Sequence, residues 1–116
     1  MMIKLTMLFR QHEETKDINK YVDFLHTDII PNILNLNKVS HVELCHYVPF
    51  SFVPDKNLDD QKYILQLDIY YENQEAFQHS VASFNSAKLV EEIIKASEYQ
   101  DIYISYITHY TKETYK

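Results

Sequence analysis

The stretch YVDFLHTDIIP, residues 21–31, sets a histidine and an aspartate within an apolar helical pattern. His26 admits two chemistries. It can be a packed imidazole, hydrogen-bonded to a backbone carbonyl or a tyrosine. It can also be a general acid or base, brought by apolar surroundings into the range useful near neutrality. At ~100° per residue it falls on the flank of the stripe Ile18, Val22, Leu25, Ile29 and Ile33, which directs it to the space between helix and sheet. Asp28 projects away from it around the helix, so a tyrosine of a later strand, Tyr71 or Tyr106, is the better expected partner.

Two other places carry chemistry-bearing side chains. HVELCH, read as a strand, puts His41, Glu43 and Cys45 on one face and His46 on the other, so only the first three could converge on an ion. A structural zinc normally wants four ligands at tighter spacing, and no metal is expected. His79 in FQHSVASF sits on the side of its helix that looks solvated; a haem-ligand role is the chemical alternative. Cys45 has no thiolate-stabilising neighbour beyond His41 and His46 and reads as a small apolar residue.

These residues need a scaffold. The 116 residues suit a single domain over 1–116, and 46% apolar with 24% charged residues is the balance of a folded chain. The net charge of -6 disfavours nucleic-acid phosphates and anionic membranes, leaving a small neutral or organic partner. No apolar run approaches the ~20 residues needed to span a bilayer, and the opening MMIKLTMLFR alternates rather than forming a signal core, so a cytoplasmic location is expected. The single cysteine cannot form an internal disulfide, in keeping with a reducing compartment. The chain has no glycine. Phosphate-cradling loops, the dinucleotide fingerprint and the nucleophile elbow all require positions where a Cβ would clash, so these enzyme classes are excluded. Turns fall instead to NLNK, VPDKNLDD and YENQ.

Ile3, Leu5, Met7 and Phe9 alternate with Lys4, Thr6, Leu8 and Arg10 and predict a first strand. Thr15 or Asp17 can cap a helix from about Lys16 to Leu34, with Pro31 bending or shortening its last turn. VSHVELCHYV and KYILQLDIYY predict two strands joined by the long loop PFSFVPDKNLDDQ. Asn73 opens a second helix bearing Phe77, Val81 and Phe84; Asn85 and Ser86 interrupt it, and Leu89, Val90, Ile93 and Ile94 resume the pattern. DIYISYITHY closes as a fourth strand. The order βαββαβ is the ferredoxin-like α+β arrangement, a four-stranded antiparallel sheet with two helices on one face. The second face mixes Gln66, Asp68 and Tyr70 with Leu8 and Ile64, which suggests a sheet covered by its twin; a plain solvated face is the alternative.

With MIKLTMLFR, YVDFLHTDIIP, EAFQHSVASFNSAKLVEEI and DIYISYITHY in this order, the chain resembles the EthD-like group of the dimeric α/β-barrel superfamily along essentially its whole length. The most specific element is the helix-one histidine, matched by His26; the family commonly has proline two residues later, where this chain has Asp28. The resemblance implies a homodimer with facing sheets and, in each protomer, a ligand cavity between helices and sheet. Relatives include an auxiliary protein of ether degradation, lactone isomerases, polyketide cyclases and cofactor-free or haem-degrading monooxygenases. The haem-degrading type is disfavoured, because the chain has no tryptophan and Met7 stands at the expected asparagine position.

The resulting expectation is a cofactor-independent oxidoreductase or isomerase acting on a hydrophobic or aromatic metabolite. His26 would move the proton, and Leu5, Met7, Phe9, Val22, Ile29, Tyr71 and Tyr106 would surround the substrate. A non-catalytic auxiliary or ligand-binding dimer is the alternative. A dimeric sensor using its sheet or the PFSFVPDKNLDD loop is the third.

Overall fold

The computed structural model describes residues 1–54, 62–83 and 87–113, the side chains of 87–90 excepted. The elements in chain order are β1 (Met2–Arg10), α1 (Ile18–Phe24), a π-helical turn (Leu25–Ile29), α2 (Ile30–Leu34), β2 (His41–His46), β3 (Tyr63–Tyr71), α3 (Gln74–Ala82), α4 (Ala87–Lys95) and β4 (Gln100–Ile107). The strands form one antiparallel sheet in the order β2-β3-β1-β4. This is the ferredoxin-like α+β arrangement that the sequence predicts. The expected break at Asn85 and Ser86, Phe84, the side chains of Leu89 and Val90, and the loop residues 55–61 lie outside the described residues.

Strand alternation decides which side chains meet the helices. Ile3, Leu5, Met7 and Phe9 pair across with Tyr71, Ile69, Leu67 and Leu65 of β3, and all eight are buried. The first helix lays Tyr21, Leu25, Ile29 and Ile33 on this floor, with Ile18, Val22 and Ile30 only partly covered. A four-residue step overshoots a full α-helical turn by about 40°, so such a row drifts off the sheet in a regular helix. The π turn, in which the Ile30 N–H reaches back to the Leu25 carbonyl, takes part of this drift back. Pro31 follows it and has no N–H to offer the preceding turn, while the Thr27 hydroxyl donates to the Asp23 carbonyl at 2.8 Å. Pro31 stands in the first turn of α2, where its missing N–H is tolerated, so it does not end the helix.

Of the two candidate caps, Asp17 is the one used: its Oδ1 accepts from the Lys20 N–H at 3.2 Å. Thr15 is buried and donates to the Arg10 carbonyl at 2.9 Å. Asn73 caps α3 by accepting from the Ala76 N–H at 2.8 Å. With no glycine available, Lys38 takes the left-handed conformation of the NLNK turn at φ 70°, at a cost of about 1–2 kcal/mol.

The opposite face of the sheet is held by polar pairs. Thr6 Oγ1 donates to Asp68 Oδ1 at 2.6 Å, and both residues are buried. Gln66 Nε2 donates to the same carboxylate at 2.8 and 3.0 Å, Tyr47 Oη donates to Gln66 Oε1, and Lys4 Nζ stands 4.0 Å from Asp68. At the end of β1, Arg10 Nη1 and Tyr63 Oη each donate to Asp101 at 2.6 Å. Large exposed apolar side chains cluster elsewhere: Ile102, Ile104 and Tyr106 on the helix side of edge strand β4, and Val48, Phe50, Phe52 and Val53 after β2.

Candidate functional site

Between α1, α4 and the sheet lies a small chamber of about 20 Å³, walled by Met7, Tyr21, Phe24, Leu25, Ile29, Glu92, Ile93, Ala96 and Gln100. Tyr21, Phe24 and Glu92 are also walls of a cleft of about 440 Å³ that opens outward past Tyr99, Lys16, Lys20 and Lys95. The two spaces therefore lie side by side, with Tyr21, Phe24 and Glu92 as their common walls. The floor of the chamber comes from β1 and β4 and its roof from the buried row of the first helix.

Three polar residues line this largely apolar pocket: Tyr21, Gln100 and the half-buried Glu92. Tyr21 packs edge-on against Phe9 and Tyr99, at ring distances of 5.6 and 6.0 Å. Burial first, and then its hydrogen bond with Tyr99, pushes the Tyr21 phenol well above its ordinary value, so at neutral pH it is a neutral donor and not a base. Gln100 opens β4 opposite Phe9 and is 8% exposed. Its Oε1 is the one buried side-chain polar atom without a hydrogen-bond partner among the described residues. The backbone around it is clamped: the Arg10 N–H donates to the Tyr99 carbonyl at 2.7 Å, and Arg10 Nη2 donates to the Glu98 carbonyl at 2.6 Å.

The expected site residues distribute as follows. Met7 and Ile29 line the chamber. Leu5 and Phe9 belong to the core beside it, and Val22 packs at its margin. Tyr71 is buried under α3, where its hydroxyl accepts from Ser80 Oγ at 3.2 Å and its ring meets Phe77. Tyr106 is exposed on β4. Both tyrosines register opposite Ile3, four residues or about 13 Å along the strand from Met7, so they stand apart from the chamber.

His26 departs from its expected position. It is exposed, and it is not a wall of any described cavity. The stripe assumed from sequence merges two rows of the helix. The row that reaches the sheet runs through Tyr21, Leu25, Ile29 and Ile33, and His26 is one residue, about 100°, beyond Leu25. Tyr21 and Gln100 were not among the candidates. The four-residue spacing of Tyr21 with Leu25, Ile29 and Ile33 is the signal that points to the first; a polar residue just ahead of an apolar strand carries none for the second.

Other candidates are dispersed. His41 stacks on Tyr70 at 4.2 Å and its Nδ1 lies 3.0 Å from Ser40 Oγ, while the side chain of Cys45 is exposed rather than packed as a small apolar residue would be. Among the described residues no group of three or more His, Cys, Asp or Glu side chains is arranged to hold a metal ion. His79 is exposed on α3, 3.9 Å from Glu75. A second open cleft, of about 620 Å³, lies between His12, His46, Tyr47 and Tyr63 outside the helix–sheet core. His12 is already engaged there, stacking on Tyr99 at 4.7 Å and accepting the Glu14 N–H at 3.1 Å. No described helix is long and apolar enough to cross a membrane.

No protein-family model matches the sequence, and no curated protein matches it. Solved structures do. An ethyl tert-butyl ether D (EthD) family protein from Bacillus halodurans superposes with a TM-score of 0.72 at 18% identity, covering 93% of this chain and 100% of its own. An EthD-like protein from Ralstonia eutropha gives 0.58 at 12% identity, over 97% and 96% of the two chains. A cofactor-independent oxygenase from Streptomyces nogalater gives 0.57 at 5% identity, over 96% and 95%. At these identities the likeness is one of architecture: the chain has the ferredoxin-like fold of the EthD-family structures.

Proposed function

We propose that the chain is an EthD-like protein that binds a small hydrophobic or aromatic metabolite in the space between its helices and sheet, acting as an auxiliary or ligand-binding homodimer. The observation that carries this reading is a largely apolar pocket beneath the first helix set directly against a larger cleft, with Tyr21 and Phe24 as walls of both. Tyr21 is held neutral and His26 lies outside the space, which favours binding over acid–base chemistry by either of them. The dimer is supported by the exposed apolar side chains of β4 and the segment after β2. An NMR titration of the labelled protein with naphthalene tests the cavity: shifts should gather at Tyr21, Phe24, Glu92 and Tyr99. Shifts confined to Ile102, Ile104 and Tyr106 would overturn it. Sedimentation should give twice the chain's mass.

A catalytic reading, a cofactor-independent oxidoreductase or isomerase with His26 as acid or base, is favoured by one feature. His26 rides on the π-helical turn, an irregularity frequent at functional sites. Any turnover found for the purified protein should then fall about 10²–10⁴-fold in His26→Gln. An unchanged rate removes His26 from the mechanism.

A further inference from the structure

The outer cleft, of about 440 Å³, combines an aromatic wall with one charge set apart from its rim. Phe24, Tyr21 and Tyr99 form the wall, with successive ring centres 5.8 and 6.0 Å apart. A cavity of roughly 150 Å³ takes a benzene ring, so this cleft has room for a larger ring system.

The charges of the cleft sort by exposure. Lys16, Lys20 and Lys95 are exposed, and so are Glu13, Glu14 and Asp17, so the described rim carries no net charge. Lys16 Nζ already stands 3.6 Å from Glu13, and water and salt screen the others. Glu92 differs from all of them. It is half-buried, it is a wall of both the cleft and the pocket beneath the first helix, and among the described residues no ion pair engages it, Lys95 one turn on included. After burial and Tyr99, the Glu92 carboxylate adds to what pushes the Tyr21 phenol up, so its field acts on the aromatic wall. A carboxylate that has lost part of its water attracts a cation more strongly than an exposed lysine attracts an anion, and the faces of tyrosine and phenylalanine attract the same sign.

We infer that the cleft selects organic cations: it takes an aromatic or apolar amine whose ammonium stands against the Glu92 carboxylate while its ring packs on Phe24, Tyr21 and Tyr99. This rests on the binding reading above and narrows its ligand class. A ligand of the same shape that carries a carboxylate meets Glu92 as a like charge.

The test titrates the full-length, isotopically labelled protein at neutral pH with naphthylmethylammonium, with its neutral counterpart naphthylmethanol and with naphthoate. The ammonium should bind about tenfold tighter than the alcohol and naphthoate weakest, and only the ammonium should move the Glu92 side-chain carboxyl resonance. Glu92→Gln should bring the ammonium down to the affinity of the alcohol. Tightest binding of naphthoate, the result expected if the rim lysines select, would overturn the role of Glu92 and leave the cavity standing. Equal affinities with an unmoved Glu92 resonance would do the same. Binding of none of the three beside Tyr21 and Phe24 would overturn both. Should Glu92→Gln fail to fold, the wild-type affinities and the Glu92 resonance decide.

Discussion

The two faces of the sheet handle buried polarity in opposite ways. On the open face, Asp68 and Thr6 are as buried as core residues, yet Thr6, Gln66 and Lys4 converge on the one carboxylate and Tyr47 extends the network. On the helix face the floor is apolar, Tyr71 is answered by Ser80, and Gln100 alone among the described residues presents an unanswered oxygen. The open face completes its buried polar groups within the fold, whereas the helix face leaves one amide oxygen without a partner, at a cost in stability.

The largest effect that probes this contrast is at the shared floor. Leu67→Ala, on the central strand β3, should lower stability by about 2–5 kcal/mol in chemical denaturation, because a fully buried leucine is removed from beneath the first helix. On the open face, Asp68→Ala should cost about 1–3 kcal/mol by stranding Thr6 and Gln66. Gln100→Leu should move the other way, raising stability by about 1 kcal/mol, since an apolar side chain of similar size relieves an unmet polar atom. A loss as large as that of Asp68→Ala would end the contrast.

Smaller shifts are expected at the rim. The Tyr63 hydroxyl and then the Arg10 guanidinium hold the Asp101 carboxyl below its ordinary 3.8. Its contribution is therefore present above pH 3.8 and lost as pH falls below it. Acid titration of Asp101→Asn should show a flatter decline there than wild type. Smallest of all, His26→Ala should change stability by less than about 0.5 kcal/mol, as for an exposed side chain with no structural duty.

Much of the architecture was legible because it is written in local periods. Alternation over Ile3 to Arg10 matches β1 closely, and the β-branched and aromatic runs locate β2, β3 and β4 to within a few residues. The first helix was legible in extent but not in rotation. Ile18 and Val22 share a sequence pattern with Leu25 and Ile29, and only the π turn at Leu25–Ile29 settles which row meets the sheet. Tyr21 lies in the buried row and His26 outside it. The mixed second face suggested a sheet covered by its twin; within the chain its centre is a polar network around Asp68, with Tyr103 of β4 exposed beside it.

By itself the sequence determined the strands, the helices, their order and the side of the sheet that is apolar, because a side chain's face follows from its distance along the chain to its neighbours. Only the tertiary structure decided that Gln100 would lie beneath Leu25, Ile29 and Ile93 with an oxygen unpartnered. That outcome depends on how helices distant in sequence cross the first residue of β4, and no local period records such a crossing.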